Sequence, residues 1–353
     1  MGAFRYLPAY TIPVVVFYSM TAGGWMVWLP VIYVLGVIPG LDLLVGADHS
    51  NLSLEQEARA KSGWLYTLIL WGFIPLQFGL LFWFGHLHLQ GGIRPAEYAG
   101  IVLSIALSNG GIGITIAHEL IHRSSRLERW LGRILLMSVL YMHFAIEHVR
   151  GHHALVATHE DPASARLGQS FYGFLFPSIV GQYRSAWHLE AERLRRAKKR
   201  FLSFNNEMII FSFMQVAFFG LILLLFGWVF VALFLLVSFV SFSLLEIVNY
   251  LEHYGLQRGE LERGRYEKVS HHHSWNSDHT ISRMFLFELT RHSDHHAVAS
   301  KKYQVLRTFE DAPQLPTGYP GMILIALVPP LWFRIMDPRA RAARSLQRAP
   351  RTP

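Results

Sequence analysis

The sequence predicts an all-α integral membrane protein, with six transmembrane helices and a histidine-rich site at their cytoplasmic side. Three observations carry this expectation. Of 353 residues, 52% are hydrophobic and only 16% charged, whereas a soluble domain has about a quarter of its residues charged. Apolar stretches close to the roughly 20 residues that a membrane-crossing helix needs recur along the chain. Histidine is abundant at 19 residues while cysteine is absent. That absence excludes disulfides, Fe–S clusters, thiolate-ligated haem, cysteine zinc sites and cysteine nucleophiles.

In chain order, residues 6–46 are apolar for long enough to cross twice, as 6–22 and 25–46, with Gly23 and Gly24 as the turn. Further spans are predicted at 64–84, 98–117, 208–228 and 229–250. Leu131–Ile146 is short and bounded by Arg133 and Glu147, and Met322–Met336 is broken by Pro329 and Pro330. Both are read as helices packed against the membrane face rather than as crossings. Neither a signal-peptide pattern nor a transporter-like repeat is evident. High Leu, Phe, Val and Ile content excludes disorder.

The net charge of +8 is unevenly spread: Arg5, Arg59, Lys61 and Arg94 are the only Lys or Arg before His118, out of 32 in the chain. The rest concentrate in Arg123–Arg133, Arg184–Arg200, Arg258–Lys268, Lys301–Arg307 and Arg334–Arg351. By the positive-inside rule these segments are cytoplasmic, and four spans before His118 then place both termini inside. The expected arrangement is one membrane-embedded domain over 1–353, with catalytic segments 118–207 and 251–353 in the cytoplasm. Basic residues interleaved with spans, rather than gathered in a cationic domain, argue against nucleic acid as a partner.

Apart from His49, His86 and His88, all histidines lie between His118 and His296. His118 and His122, in His-Glu-Leu-Ile-His, stand four apart on one helix face, the spacing that chelates a single ion. Glu147-His148-Val-Arg-Gly-His152-His153 repeats an i, i+4 pair with an adjacent ring. Arg291-His292-Ser-Asp-His295-His296 is a third group, and His253 closes the sixth span. His-Glu-x-x-His is also the zinc metalloprotease signature, with Glu119 in the general-base position. A protease would need only one further ligand, leaving the other clusters without a role. Nine imidazoles exceed one ion, so two are expected, and nitrogen-rich sites suit Fe, Cu, Zn or Ni.

These stretches, with Asp161-Pro-Ala-Ser-Ala-Arg166, Asn249-Tyr-Leu-Glu-His-Tyr-Gly-Leu256, Leu289-Thr-Arg-His-Ser-Asp-His-His-Ala297 and Tyr303-Gln-Val-Leu306, resemble the alkane 1-monooxygenases. These are alkane omega-hydroxylases within the integral-membrane family of di-iron desaturases and hydroxylases. The resemblance covers roughly residues 5–335. It implies a bacterial cytoplasmic (inner) membrane enzyme that hydroxylates the terminal methyl of medium-chain n-alkanes with O2 and two electrons. It further implies two non-haem iron ions on His118, His122, His148, His152, His153, His253, His292, His295 and His296. The electrons would come from a separate rubredoxin and its reductase, for which clusters such as Arg193–Arg200 offer a docking face or, equally, a lipid anchor. Competing readings are a fatty-acyl desaturase and a metal-binding or transport protein.

Ligating histidines usually pass their second nitrogen to a carboxylate or carbonyl. Glu119, Glu147, Asp161, Glu252 and Asp294 lie in or beside the clusters. Glu246 and Asn249 share a stripe with His253 in an apolar span, where carboxylates are functional by default. Trp25, Trp28, Phe73 and Phe78 are candidates for lining an alkane tunnel. The run His271–His273 follows a charged loop and is expected not to ligate, because ordering a flexible loop around an ion costs conformational entropy. His279 has a better claim, to supporting a ligand or ordering the loop, but lacks a helical partner four residues away.

Overall fold

A computed structural model describes residues 2–262 and 265–348, with the side chains of 346–348 left out. Residues 263–264 and 349–351, which belong to two of the basic segments above, lie outside that description. The described chain is almost wholly helical, its only paired strands being β1 (Glu260–Glu262) and β2 (Arg265–Tyr266), antiparallel.

A 3-10 stretch, Ala3–Tyr10, runs directly into α1 (Thr11–Ala22). Gly23 and Gly24, both at φ above +60°, make the expected turn. Then come α2 (Gly24–Val45), α3 (Leu54–Ser62), α4 (Trp64–Gln90) and α5 (Pro95–Ile121). α3 opens on a capping box in which Ser53 accepts from Gln56 N and the Gln56 side chain returns to Ser53 N. α6 (Arg126–Met137) is followed by turns and by a helical run, α7 (144–155), whose middle, His148–His152, is a π turn. α8 (Phe171–Arg196) and α9 (Glu207–His253) are the long helices of the second half, capped by Ser170 and Asn206. The remainder is α10 (Thr280–Phe285), α11 (His292–Ala297), α12 (Tyr319–Ala326) and α13 (Pro329–Arg348).

Among the described residues four helices are long and apolar enough to cross a membrane: α2, α4, α5 and α9. Their positions match the spans predicted at 25–46, 64–84, 98–117 and 208–250. α9 is folded double. Gly227 takes φ 79°, ψ 177° within it, and the Phe218 and Phe234 rings stand 5.7 Å apart. In a straight helix, sixteen residues would separate them by about 24 Å. The two predicted spans 208–228 and 229–250 are thus the arms of one hairpin. The span predicted at 6–22 is a helix, but not one of the four that are apolar enough.

Leu131–Ile146 is not one helix. α6 stops at Met137, and Leu140 at φ 56° turns the chain before Phe144. Met322–Met336 is broken as expected, with α12 and the following helix bent by 119°. The sequence predicts no span over α8, because its charged C-terminal half hides its apolar start. The layout brings the ends of α5 and α9 together with α7 and α11, the four elements that carry the clustered histidines.

Candidate metal centre

The clustered histidines converge in two adjacent groups. One holds His118, His122, His148, His153 and His295; the other holds His152, His253, His292 and His296. In each group one nitrogen per residue lies within 4.8 Å of the others. Helix geometry explains the division. His118 and His122 share a face of α5 at four residues' spacing, as do His292 and His296 on α11. Neighbours in sequence point apart, so His152 and His153 fall in different groups, as do His295 and His296. The i, i+4 pairing expected for His148 and His152 does not occur. The π turn at His148–His152 widens the helical repeat, and His153 instead comes within 3.1 Å of His148, Nε2 to Nε2.

The donor set fits a pair of metal ions. His295 Nε2 lies 3.1 Å from His153 Nε2, and His296 Nε2 lies 2.9 Å from His292 Nε2. The Nε2 atoms of His118, His122, His152 and His253 are buried without a hydrogen-bond partner. Buried polar atoms are nearly always satisfied, and an ion shared among these nitrogens would satisfy them. Burial holds His122 down to about 3 and depresses His148, His153, His292, His295 and His296 well below the usual imidazole range, with the neighbouring rings adding to the effect. These imidazoles are therefore neutral at physiological pH, the form that ligates.

Two of the candidate supporting carboxylates touch the groups. Asp161 Oδ2 stands 2.9 Å from His152 Nδ1 and accepts from Ser164 Oγ at 2.6 Å. Burial alone would raise the Asp161 carboxyl, but His152 and Ser164 outweigh it and hold it low. Glu252 Oε2 lies 3.1 Å from His292 Nε2, while its other oxygen accepts from Tyr319 at 2.9 Å. His253 Nδ1 faces the His273 carbonyl at 3.2 Å.

The others are engaged elsewhere. Glu119 pairs with Arg123 at 2.7 Å and accepts from Tyr303 N. Asp294 binds Lys301 and Arg307 N. Glu147 has Ser185 within 3.4 Å. Glu246 faces α8 and the α6–α7 turn, accepting from Tyr141, Ser178 and Gln182 at 2.7–2.9 Å. Asn249 lines a cavity.

That cavity is apolar and opens onto both groups through His118, His148 and His292. Along α5, whose Ser108–Gly113 stretch is a π turn, it is lined by Leu107, Gly110, Gly111, Ile112, Ile114, Thr115 and His118, a run about 15 Å long. Leu244, Leu245, Val248, Asn249 and Glu252 of α9 form the facing wall. Among the described residues no Lys or Arg lines it. Trp25, Trp28, Phe73 and Phe78 do not line it either; both tryptophans are exposed on the surface.

Sequence reasoning missed Tyr319, which orients Glu252, and Asn276, whose side chain accepts from Ser293 N at 2.8 Å and donates to Ser293 Oγ at 2.7 Å, securing the start of α11. Both are remote in sequence from what they hold, so no local spacing reveals them. His271 and His272 lie against Asp311, His273 against Glu267, and His279 beside Ser277. None of these four belongs to either group.

The sequence profile of the fatty acid desaturase family matches residues 96–326. The chain is 45% identical to alkane 1-monooxygenase 2 of Pseudomonas aeruginosa, over 89% of this chain and 84% of that protein. It is 42% identical to alkane 1-monooxygenase 2 of Alcanivorax borkumensis, over 92% and 85%. Identity to the hydroxylase component of a Pseudomonas putida xylene/toluene monooxygenase is 31%, over 95% and 88%.

Proposed function

The chain belongs to the fatty acid desaturase family, in the branch of the alkane 1-monooxygenases, and from that premise we propose that this oxidoreductase hydroxylates the terminal methyl of medium-chain n-alkanes. An alkane, O2, two electrons and two protons give a primary alcohol and water. The observation that carries the reading is the apolar cavity ending on His118, His148 and His292.

His118, His122, His148, His153 and His295 would hold one iron, and His152, His253, His292 and His296 a second. Iron bound there supplies the O2-activating chemistry. The residues of the chain do the rest. Asp161 fixes the orientation of the His152 ring through Nδ1, while Glu252 lies at His292 Nε2, the nitrogen that also faces His296, and so puts its carboxylate beside the ion itself. An alkane has no polar handle, so its selection rests on shape. The aligned faces of α5 and α9 guide it lengthwise, and only a chain end reaches the histidines. The same apolar walls keep bulk water from the reacting carbon.

Electrons from a separate rubredoxin and its reductase complete the reaction; a rubredoxin iron centre takes four cysteines, and this chain has none. The apolar helices suit the bacterial inner membrane, with the basic segments and both termini on the cytoplasmic side.

A fatty-acyl desaturase is the second reading, favoured by the family profile. A cavity with no Lys or Arg among its described lining residues, and with Glu252 in its wall, opposes an acyl carboxylate. Product analysis separates the two. Purified protein with n-octane, O2, NADH, rubredoxin and reductase is expected to form 1-octanol, and none without rubredoxin. An alkene from an acyl chain, with no alcohol from octane, would favour the desaturase.

A further inference from the structure

Among the described residues outside the nine histidines, one other set of side chains converges as metal ligands do. His271 Nε2 lies 3.0 Å from Asp311 Oδ2, and His272 Nε2 lies 3.6 Å from the same oxygen. One ligand atom from each of the three lies within 4.8 Å of the others. The loop is ordered: His271–His273 is a 3-10 turn opened by Ser270. The His271 ring stacks on Phe309, with centroids 4.7 Å apart and planes at 13°. Asn276 N donates to Pro313 O and Leu315 N to Asn276 O, tying the two arms together beyond the cluster.

One contact sets the chemistry. His272 Nδ1 lies 3.2 Å from the Asp311 carbonyl oxygen. A carbonyl only accepts, so Nδ1 carries a proton, and Nε2, which faces Oδ2, is the nitrogen left to ligate once an ion displaces any proton there. A ligating histidine is held in this way by its other nitrogen.

We propose that His271, His272 and Asp311 form a third metal site, open to the aqueous side and separate from the nine-histidine centre. Two imidazoles and a carboxylate suit a borderline divalent ion such as Zn2+. Asp311 is 64% exposed and the two histidines partly so, which leaves the remaining coordination positions to water. The loop it closes also supports the second histidine group. The His273 carbonyl faces His253 Nδ1, and Trp275 N donates to the Glu252 carbonyl at 2.8 Å.

The test counts zinc and iron in iron-loaded protein equilibrated with buffered Zn2+. The parent is expected to bind one zinc per chain that His271→Ala, His272→Ala and Asp311→Ala do not bind, with iron equal in all four. Asp311→Glu, which keeps the charge, retains the zinc with weaker affinity. His188→Ala, at an exposed histidine beside Glu192, binds as the parent does. Equal zinc in the parent and all three alanine variants, or none in the parent, would overturn the proposal. Loss of iron together with zinc would overturn its separateness from the nine-histidine centre. Exposure of Asp311 makes its replacement harmless to packing, so this variant stays informative if a histidine variant misfolds.

Discussion

His152 and Asp161 face each other across 2.9 Å, Nδ1 to Oδ2, with both side chains almost wholly closed to solvent. The contact holds the ring so that Nε2 points toward His253 and His296, whose ring centroids lie 4.8 and 4.9 Å away. Asp161→Ala removes the orienting carboxylate without removing a ligand. Iron affinity of the second group is expected to fall about 10- to 100-fold, the usual effect of losing such a partner. Chelator titration of iron content reads this as one iron per chain released at lower chelator. Release curves identical to the parent would show that Asp161 does not orient His152.

Ligands and bystanders separate by substitution. His253→Ala and His292→Ala are expected to lose iron and hydroxylation, since each removes a buried nitrogen from the second group. His143→Phe is expected to keep both. His143 is fully buried, but it sits between Tyr141 and Tyr183, with centroids 4.2 and 5.3 Å away, outside both groups. Iron analysis at matched expression checks all three variants. Iron retained in His253→Ala and lost in His143→Phe would reverse the assignment.

Glu246 tests a structural role. Glu246→Leu leaves the Tyr141 and Ser178 hydroxyls and the Gln182 amide without their shared acceptor, at about 1–3 kcal/mol for each buried group left unpaired. A clearly lower melting temperature in detergent is expected, with Glu246→Gln nearer the parent because its amide oxygen still accepts. A Leu variant as stable as the parent but inactive would instead place Glu246 in the chemistry.

The nine histidines were legible because chelation demands imidazoles at helical spacing, and His118 with His122 or His292 with His296 meet it on an ordinary helix. The partner of His148 was not. Its identity depends on the π turn at His148–His152, and the 3.6-residue period assumed in reading a sequence points to His152. Apolar length located the long helices, and Gly227 divides α9 within a residue of where two spans were expected to meet. Tyr319 beneath Glu252, and Asp311 forty residues from His271, are brought together only by tertiary folding. The contacts that hold His271–His273 in a 3-10 turn escape the sequence for the same reason. The segment to which it is fastened lies too far along the chain to be seen from the run itself.

Gly110 and Gly111 have opposite tolerances. A Cβ on Gly110 would sit 2.6 Å from the Ser241 carbonyl oxygen, so that position needs glycine for close helix approach, whereas a Cβ on Gly111 meets nothing within 4 Å. Gly111 also lines the cavity, about 10 Å before His118 along α5. Gly111→Leu is expected to fold, to fill the cavity there and to shorten the alkane accepted. The hexane-to-dodecane ratio of kcat/KM should rise about tenfold or more, the scale on which an apolar pocket discriminates. An unchanged ratio would show that substrate does not pass Gly111.

The central claim is that two irons, one in each histidine group, are both required for hydroxylation. The most direct measurement is octane hydroxylation, with rubredoxin and reductase in excess, as iron is added stepwise to metal-free protein. 1-Octanol formation should stay near zero until the second equivalent begins to fill and reach its plateau at two irons per chain, and His118→Ala and His296→Ala should show none at any iron level. A plateau at one iron per chain, or full activity in either variant, would contradict the account.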